Sequence, residues 1–174
     1  MVIVSTLDFV ELYFGEFVFG FMYHDIRQTI DLAKANFLVA LGLSVYAEVM
    51  GGLVTGQLRN PKWSRKNYEA FLPFLGAHYV DLHKQIDLYK RVRCGLVHQY
   101  FVKGRAMIAV KFTRSDASGI VYTSEIDHIS ISIEQYFQDF KAGVQRYYDI
   151  LKSGDTEALQ KFMQAVILNT TDPV

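Results

Sequence analysis

Apolar residues recur at helical spacing along most of the chain and switch to strict alternation only late. Residues 7–23 carry Phe9, Tyr13, Phe14, Phe17, Phe19 and Phe21, a set that leaves few polar faces. A helix that is apolar all round is buried in the protein or in a subunit interface. From Asp25 to Thr55, Ile26, Ile30, Ala33, Phe37, Ala40 and Leu41 fall on one helical stripe, which Gly56 and then Asn60-Pro61 bring to an end. Ser64 is placed to cap a further helix, which Pro73 kinks or splits before it runs on to about Phe101. Along its second half Leu82, Ile86, Tyr89, Arg93, Leu96 and Tyr100 step by 4-3-4-3-4, the seam of a helix packed lengthwise on a partner.

The period then drops to two. Ala106, Ile108, Val110 and Phe112 alternate with other residues, a turn follows through Ser115 to Gly119, and Ile120-Val121-Tyr122 comes next. That order predicts a β-hairpin, and Ile129, Ile131 and Ile133 among serines suggest a third short strand. Ser132 and Gln135 have capping-box spacing for a helix with Ile133, Tyr136, Phe137, Phe140, Val144, Tyr147 and Leu151 facing the core. Asp155 opens a last helix bearing Leu159, Phe162, Met163 and Val166. The expectation is a mostly α fold, an up-and-down bundle of about five helices with a late β-hairpin insertion at about 105–124. Residues 1–174 read as a single domain without repeats or linkers.

Composition narrows the setting. A chain of 174 residues that is 51% hydrophobic and 14% aromatic can bury a sizeable core. Its 18 basic and 18 acidic side chains cancel, so a site for a polyanion has to be a local basic patch. Cys94 is the only cysteine, which excludes an intrachain disulfide and a multi-cysteine zinc site, and fits a reducing cytoplasm. The apolar run from Phe37 to Leu58 is interrupted by Glu48. Its uncharged part, Phe37 to Ala47, is too short for a bilayer core of about 30 Å, so it is expected to be a core helix and no membrane partner is expected. The N-terminal stretch carries Asp8, Glu11 and Glu16 and lacks the basic start of a signal peptide.

Candidate chemistry concentrates near the end of the seam. Arg93 interrupts the apolar stripe, and a guanidinium there needs an acceptor. An acidic side chain on a neighbouring helix, such as Glu48, is one answer; a phosphate, which suits the planar five-donor group, is the other. His98 follows five residues later, about 140° round an ideal helix, on a face shared with Asp87, Arg91 and Cys94. Unwinding near Gly95 or a cleft formed with a second copy would bring Arg93 and His98 together. Lys90, Arg91, Lys103 and Arg105 flank this stretch and form the local basic patch that nucleic acid requires. Lys62, Arg65 and Lys66 around Trp63 form a weaker candidate. His78 and His83 stand five apart, wrong for two metal ligands on one helix face, so neither a metal nor a cofactor is expected.

The string from Arg93 to Tyr100 reads R-x4-H-x-Y at the C-terminal end of a bundle helix. It resembles the signature of the HEPN superfamily, small helical-bundle proteins of defence and toxin–antitoxin systems, in the spacing of the HepT-type toxins. The resemblance implies metal-independent RNA cleavage at a homodimer cleft. Arg93 would hold the scissile phosphate, and His98 would act as general base or acid. Tyr100 would match the tyrosine that a small nucleotidyltransferase antitoxin modifies. Cys94 stands where active members commonly carry Asn or Asp, and a thiol is a weak donor. A catalytically silent module that binds RNA or a nucleotide, and a structural dimer with Arg93 paired internally, are therefore the alternatives.

Overall fold

The computed structural model describes residues 5–111 and 118–167, and its helices follow the apolar stripes closely. Helix α1 (residues 6–33) starts at a capping box: the Ser5 hydroxyl accepts the Asp8 N–H at 3.1 Å, and the Asp8 carboxylate accepts the Ser5 N–H at 3.2 Å. It is a continuous rod, with π-helical turns over Phe14–Met22 and Thr29–Ala33. No break falls at residue 24. The break comes instead at Lys34, in the left-handed conformation with φ 50°, inside the stripe expected to form one helix from Asp25 to Thr55.

Helix α2 (Asn36–Thr55) is the central member, burying Val39, Ala40, Leu43, Ala47, Met50 and Leu53. By length and composition it could cross a membrane, yet half of its apolar window is covered by the bundle. At Gly51 an added Cβ would lie 1.6 Å from the Asn67 carbonyl oxygen, so only glycine lets α3 (Ser64–Leu75) approach this closely. Pro73 is accommodated within α3, which ends two residues later at the Gly76 joint before α4 (Ala77–Ile86).

The 82–100 seam is not one helix. Asp87, with φ 52°, ends α4, and α5 (residues 89–99) begins with a π turn over Tyr89–Arg93 before the α-helical Cys94–Gln99. Leu82, Ile86 and Leu96 are buried within the protomer, so most of the seam is already covered by this chain. The described residues form seven helices rather than five: the break expected near residue 24 moves to Lys34, and Gly76 and Asp87 divide the helix expected from Ser64 to about Phe101 into three.

The three strands β1 (Arg105–Ala109), β2 (Ile120–Thr123) and β3 (His128–Ser132) lie in the order β1-β3-β2. The expected hairpin between the first two strands does not form. Strand β3 takes the middle place, parallel to β1 with Arg105 opposite His128, and antiparallel to β2 with Ile120 opposite Ile131. The order follows burial: Ile129 and Ile131 are fully buried, the side chain of β1 residue Met107 is exposed, and the most buried strand takes the centre. Phe112 and the turn from Ser115 to Ala117 lie outside the described residues.

Helix α6 (Ile133–Lys152) buries all seven residues expected on its core face. Ser132 occupies its N-cap position without a side-chain bond, and Gln135 bonds Asp139 instead, so the capping box is absent. Helix α7 (Thr156–Ile167) is capped by Asp155, whose carboxylate accepts the Ala158 N–H at 2.8 Å.

Candidate functional site around the end of α5

Arg93 points back into the bundle. Its Nε lies 2.6 Å from Glu48 Oε2 on α2, a charge contact whose alignment falls short of hydrogen-bond geometry. The other Glu48 oxygen accepts the Ser64 hydroxyl at 2.6 Å, and that hydroxyl shares a 2.7 Å hydrogen bond with Tyr89. The Arg93 guanidinium also sits 5.5 Å from the Tyr89 ring centroid. Three helices thus meet at one polar cluster: α2 supplies the carboxylate, α3 the hydroxyl, and α5 the phenol and the cation. Ser64, expected as a helix cap, is drawn into this cluster instead. Of the two acceptors foreseen for Arg93, the structure holds the carboxylate. Among the described residues, neither Nη1 nor Nη2 of Arg93 has a hydrogen-bond acceptor.

The π turn matters to the aim of these side chains. The Cys94 N–H bonds the Tyr89 carbonyl five residues back, which widens the helix just before the motif continues. Asp87 anchors the start of the same turn: its carboxylate accepts the Lys90 N–H at 3.1 Å and two bonds from Arg65, at 3.1 and 2.9 Å. Burial raises the Asp87 carboxyl, but Arg65 and the Lys90 N–H outweigh it and hold the group below its ordinary value.

His98 is exposed in the last turn of α5 and has no hydrogen bond among the described residues. Arg93 and His98 are therefore in different surroundings, one in a polar cluster and the other at the surface. The face that an ideal helix would share among Asp87, Arg91, Cys94 and His98 is broken by the left-handed Asp87. Tyr100, with φ 61°, ends the helix and is 50% exposed. Its ring stacks on Phe37 at 5.4 Å between centroids, and Phe101 meets both rings edge-on at 5.8 Å. Cys94 is half-buried.

The flanking cations divide. Lys90 and Arg105 are exposed, and Lys103 is half-buried. Arg91 is taken up by the fold: Nε donates to the Lys103 carbonyl at 3.1 Å and Nη1 to Asp127 at 2.7 Å. That bond and one from Tyr122 hold the Asp127 carboxyl below its ordinary value. Near Trp63, Lys66 lies 4.5 Å from the indole centroid, while Arg65 is held by Asp87 and Glu69. His78 Nε2 bonds the Ile120 carbonyl and His83 Nε2 bonds Glu69, and no group of metal-ligating side chains occurs among the described residues.

Sequence reasoning named Glu48 as a partner for Arg93 but missed the Ser64–Tyr89 link and the exposed Phe37–Tyr100–Phe101 triad. Phe37 read as a core residue because its stripe is apolar; nothing in the local pattern tells that α2 begins there, at the bundle's rim. No family model, curated protein or solved structure matches this chain.

Proposed function

We propose that this chain is an HEPN-like endoribonuclease that works without a metal as a cytoplasmic homodimer, with the C-terminal end of α5 facing RNA. One observation carries the reading. His98 and Tyr100 of the R-x4-H-x-Y string stand exposed at a helix end, while Arg93 keeps two amino groups without an acceptor among the described residues. An imidazole at the surface can take the proton of a ribose 2′-hydroxyl as that oxygen attacks phosphorus. The bond from phosphorus to the 5′-oxygen then breaks, the 5′-oxygen takes up a proton, and a 2′,3′-cyclic phosphate remains. The Arg93 amino groups that have no acceptor among the described residues suit the charge on the phosphate oxygens, once Glu48 no longer holds the guanidinium inward. Lys90, Lys103 and Arg105 supply the local positive charge, and exposed Tyr100 is open to modification by a nucleotidyltransferase partner.

The test is cleavage of a panel of RNAs in EDTA. Wild-type protein is expected to leave cyclic phosphate ends, and His98→Ala to lower the rate by roughly two to four orders of magnitude without changing thermal stability. Absence of cleavage by wild-type protein overturns the enzyme reading. The Arg93–Glu48 contact favours a second reading, a structural dimer in which Arg93 is paired internally. A folded dimer that neither cuts nor binds RNA is its signature.

A further inference from the structure

Helix α1 buries one side and leaves the other bare. Its buried residues fall at every fourth position, Val10, Phe14, Val18, Ile26 and Ile30, with Met22 partly buried between them. In an α-helix, at 3.6 residues per turn, such a row winds around the axis. The π turns over Phe14–Met22 and Thr29–Ala33 are wider and keep it straight. The row two positions on is straight as well, and Leu12, Glu16, Gly20, His24, Gln28 and Leu32 are all exposed. Leu12 is 59% exposed and Leu32 76%. Beside the row stand Phe17 and Phe21, both exposed, with ring centroids 6.0 Å apart. The fold covers only one side of a helix that is apolar nearly all round, which leaves this side for a partner.

The charges on α1 say which partner. Residues 5–21 hold Asp8, Glu11 and Glu16 and no cation, whereas His24, Arg27 and Lys34 all lie in residues 22–34. The helix is therefore acidic at one end and carries its basic groups at the other, a pattern complementary to itself when reversed. The row repeats this in detail. Glu16 and His24 stand four residues either side of Gly20, and neither has a hydrogen bond or ion pair among the described residues.

We propose that this face of α1 binds the same face of a second copy, with the two helices antiparallel and crossing at Gly20. Two-fold symmetry then sets Glu16 against the partner's His24 twice, and Leu12 beside the stem of the partner's Gln28. An imidazole N–H can donate to the carboxylate at each of these contacts. The crossing is open: Gly20 has no side chain, and a Cβ at Gly15 would meet nothing within 4 Å, which leaves room for the partner's phenylalanines. A lipid surface suits the face less well, because Glu16 sits in its middle and no cation lies in its first half. Phe37, just past the end of α1, stacks on Tyr100, so this pairing puts the two α5 ends at opposite ends of the dimer. The inference rests on the homodimer in the reading above and names its interface.

Sedimentation velocity of the full-length protein at micromolar concentration reads the association. Wild type is expected to be a dimer. Phe21→Ser is expected to weaken it roughly 30-fold or more, since a symmetric interface loses each ring twice. His24→Glu sets carboxylates against each other at both contacts and is expected to weaken it roughly tenfold. Glu16→Lys/His24→Glu exchanges the charges and should restore wild-type association, which a merely structural role for either residue would not produce. A monomeric wild type overturns the proposal, as does a dimer untouched by Phe21→Ser or a double variant no tighter than His24→Glu. Flotation with phosphatidylcholine–phosphatidylglycerol vesicles that Phe21→Ser abolishes also overturns it, because lipid then covers the face. If the dimer responds as expected but cuts no RNA, the ribonuclease reading fails and the interface stands. If wild type cuts RNA as a monomer, the interface fails and the ribonuclease stands.

Discussion

Arg93 and Glu48 meet across the packing of α5 on α2, and their side chains are only 15% and 18% exposed. A guanidinium so placed without an acid would be costly, and an acid so placed without a cation equally so. The pair also explains why a sequence with no excess of basic residues tolerates an arginine in an apolar seam. Glu48 neutralises the charge for the fold, and its second oxygen extends the contact through Ser64 to Tyr89. The cluster therefore fixes the rotation of α5, and with it where His98 and Tyr100 emerge.

Removing either half should destabilise the protein. Arg93→Ala and Glu48→Ala are each expected to cost about 3 kcal/mol, the lower end for breaking a buried pair. The double variant Glu48→Leu/Arg93→Met should recover much of that loss, because no unpaired charge remains. Urea denaturation of the three proteins measures this. A double variant as unstable as the sum of both singles would show that the pair contributes little and packing dominates.

The Asp87–Arg65 contact should make stability acid-sensitive. The folded-state value of Asp87 lies below its ordinary 3.8, so the group favours the folded state above that pH. That contribution is lost as pH falls through the depressed folded value. Asp87→Asn should consequently melt below wild type at pH 6, and the gap should close progressively below pH 3.8. A gap that is constant with pH would assign the loss to the helix junction rather than to charge.

Much of the bundle was legible in the sequence because apolar periodicity reports burial directly. All seven core positions of α6 follow from spacing alone, and so does the left-handed Gly56 that ends α2. The breaks at Lys34 and Asp87 were not legible, since neither residue is Gly or Pro and tertiary packing imposes the left-handed conformation. Strand pairing was missed for a related reason. Sequence neighbours predict hairpins, but the apolar demand of Ile129 and Ile131 places β3 between strands that are consecutive in the chain. At the candidate site, the string from Arg93 to Tyr100 lies on α5 and at the turn that ends it. Its surroundings depend on Phe37 and Ser64, contacts that no local spacing encodes.

The flanking arginines should separate cleanly by experiment. Arg91 joins α5 to Lys103, two residues before β1, and to Asp127 just before β3, so Arg91→Met should destabilise the fold by about 1–3 kcal/mol. Arg105 is exposed on β1, and Arg105→Ala should leave the melting temperature unchanged. If Arg105 contacts a phosphate, its loss should lower the salt dependence of RNA affinity by about 0.7 in the log–log slope. A slope change for Arg91→Met at unaltered stability would reverse these assignments.

Gly95 provides the sharpest test of how the motif helix and the returning chain fit together. An alanine in a helix is favoured over glycine by about 1 kcal/mol on propensity alone, so Gly95→Ala would be stabilising if space allowed. Space does not allow it. The new methyl would lie 2.6 Å from the Phe101 carbonyl oxygen and 3.0 Å from the Lys103 nitrogen, both backbone atoms. Moving that segment also strains the Lys103 N–H bond to the Arg91 carbonyl, which is 2.9 Å long. Overpacking against backbone costs about 1–3 kcal/mol, which outweighs the propensity gain. Gly15→Ala is the control, since an added Cβ there meets nothing within 4 Å and should be neutral or stabilising. Thermal melts of both variants decide the matter: a higher melting temperature for Gly95→Ala would mean that residues 101–103 yield easily and do not hold the aromatic rings in place.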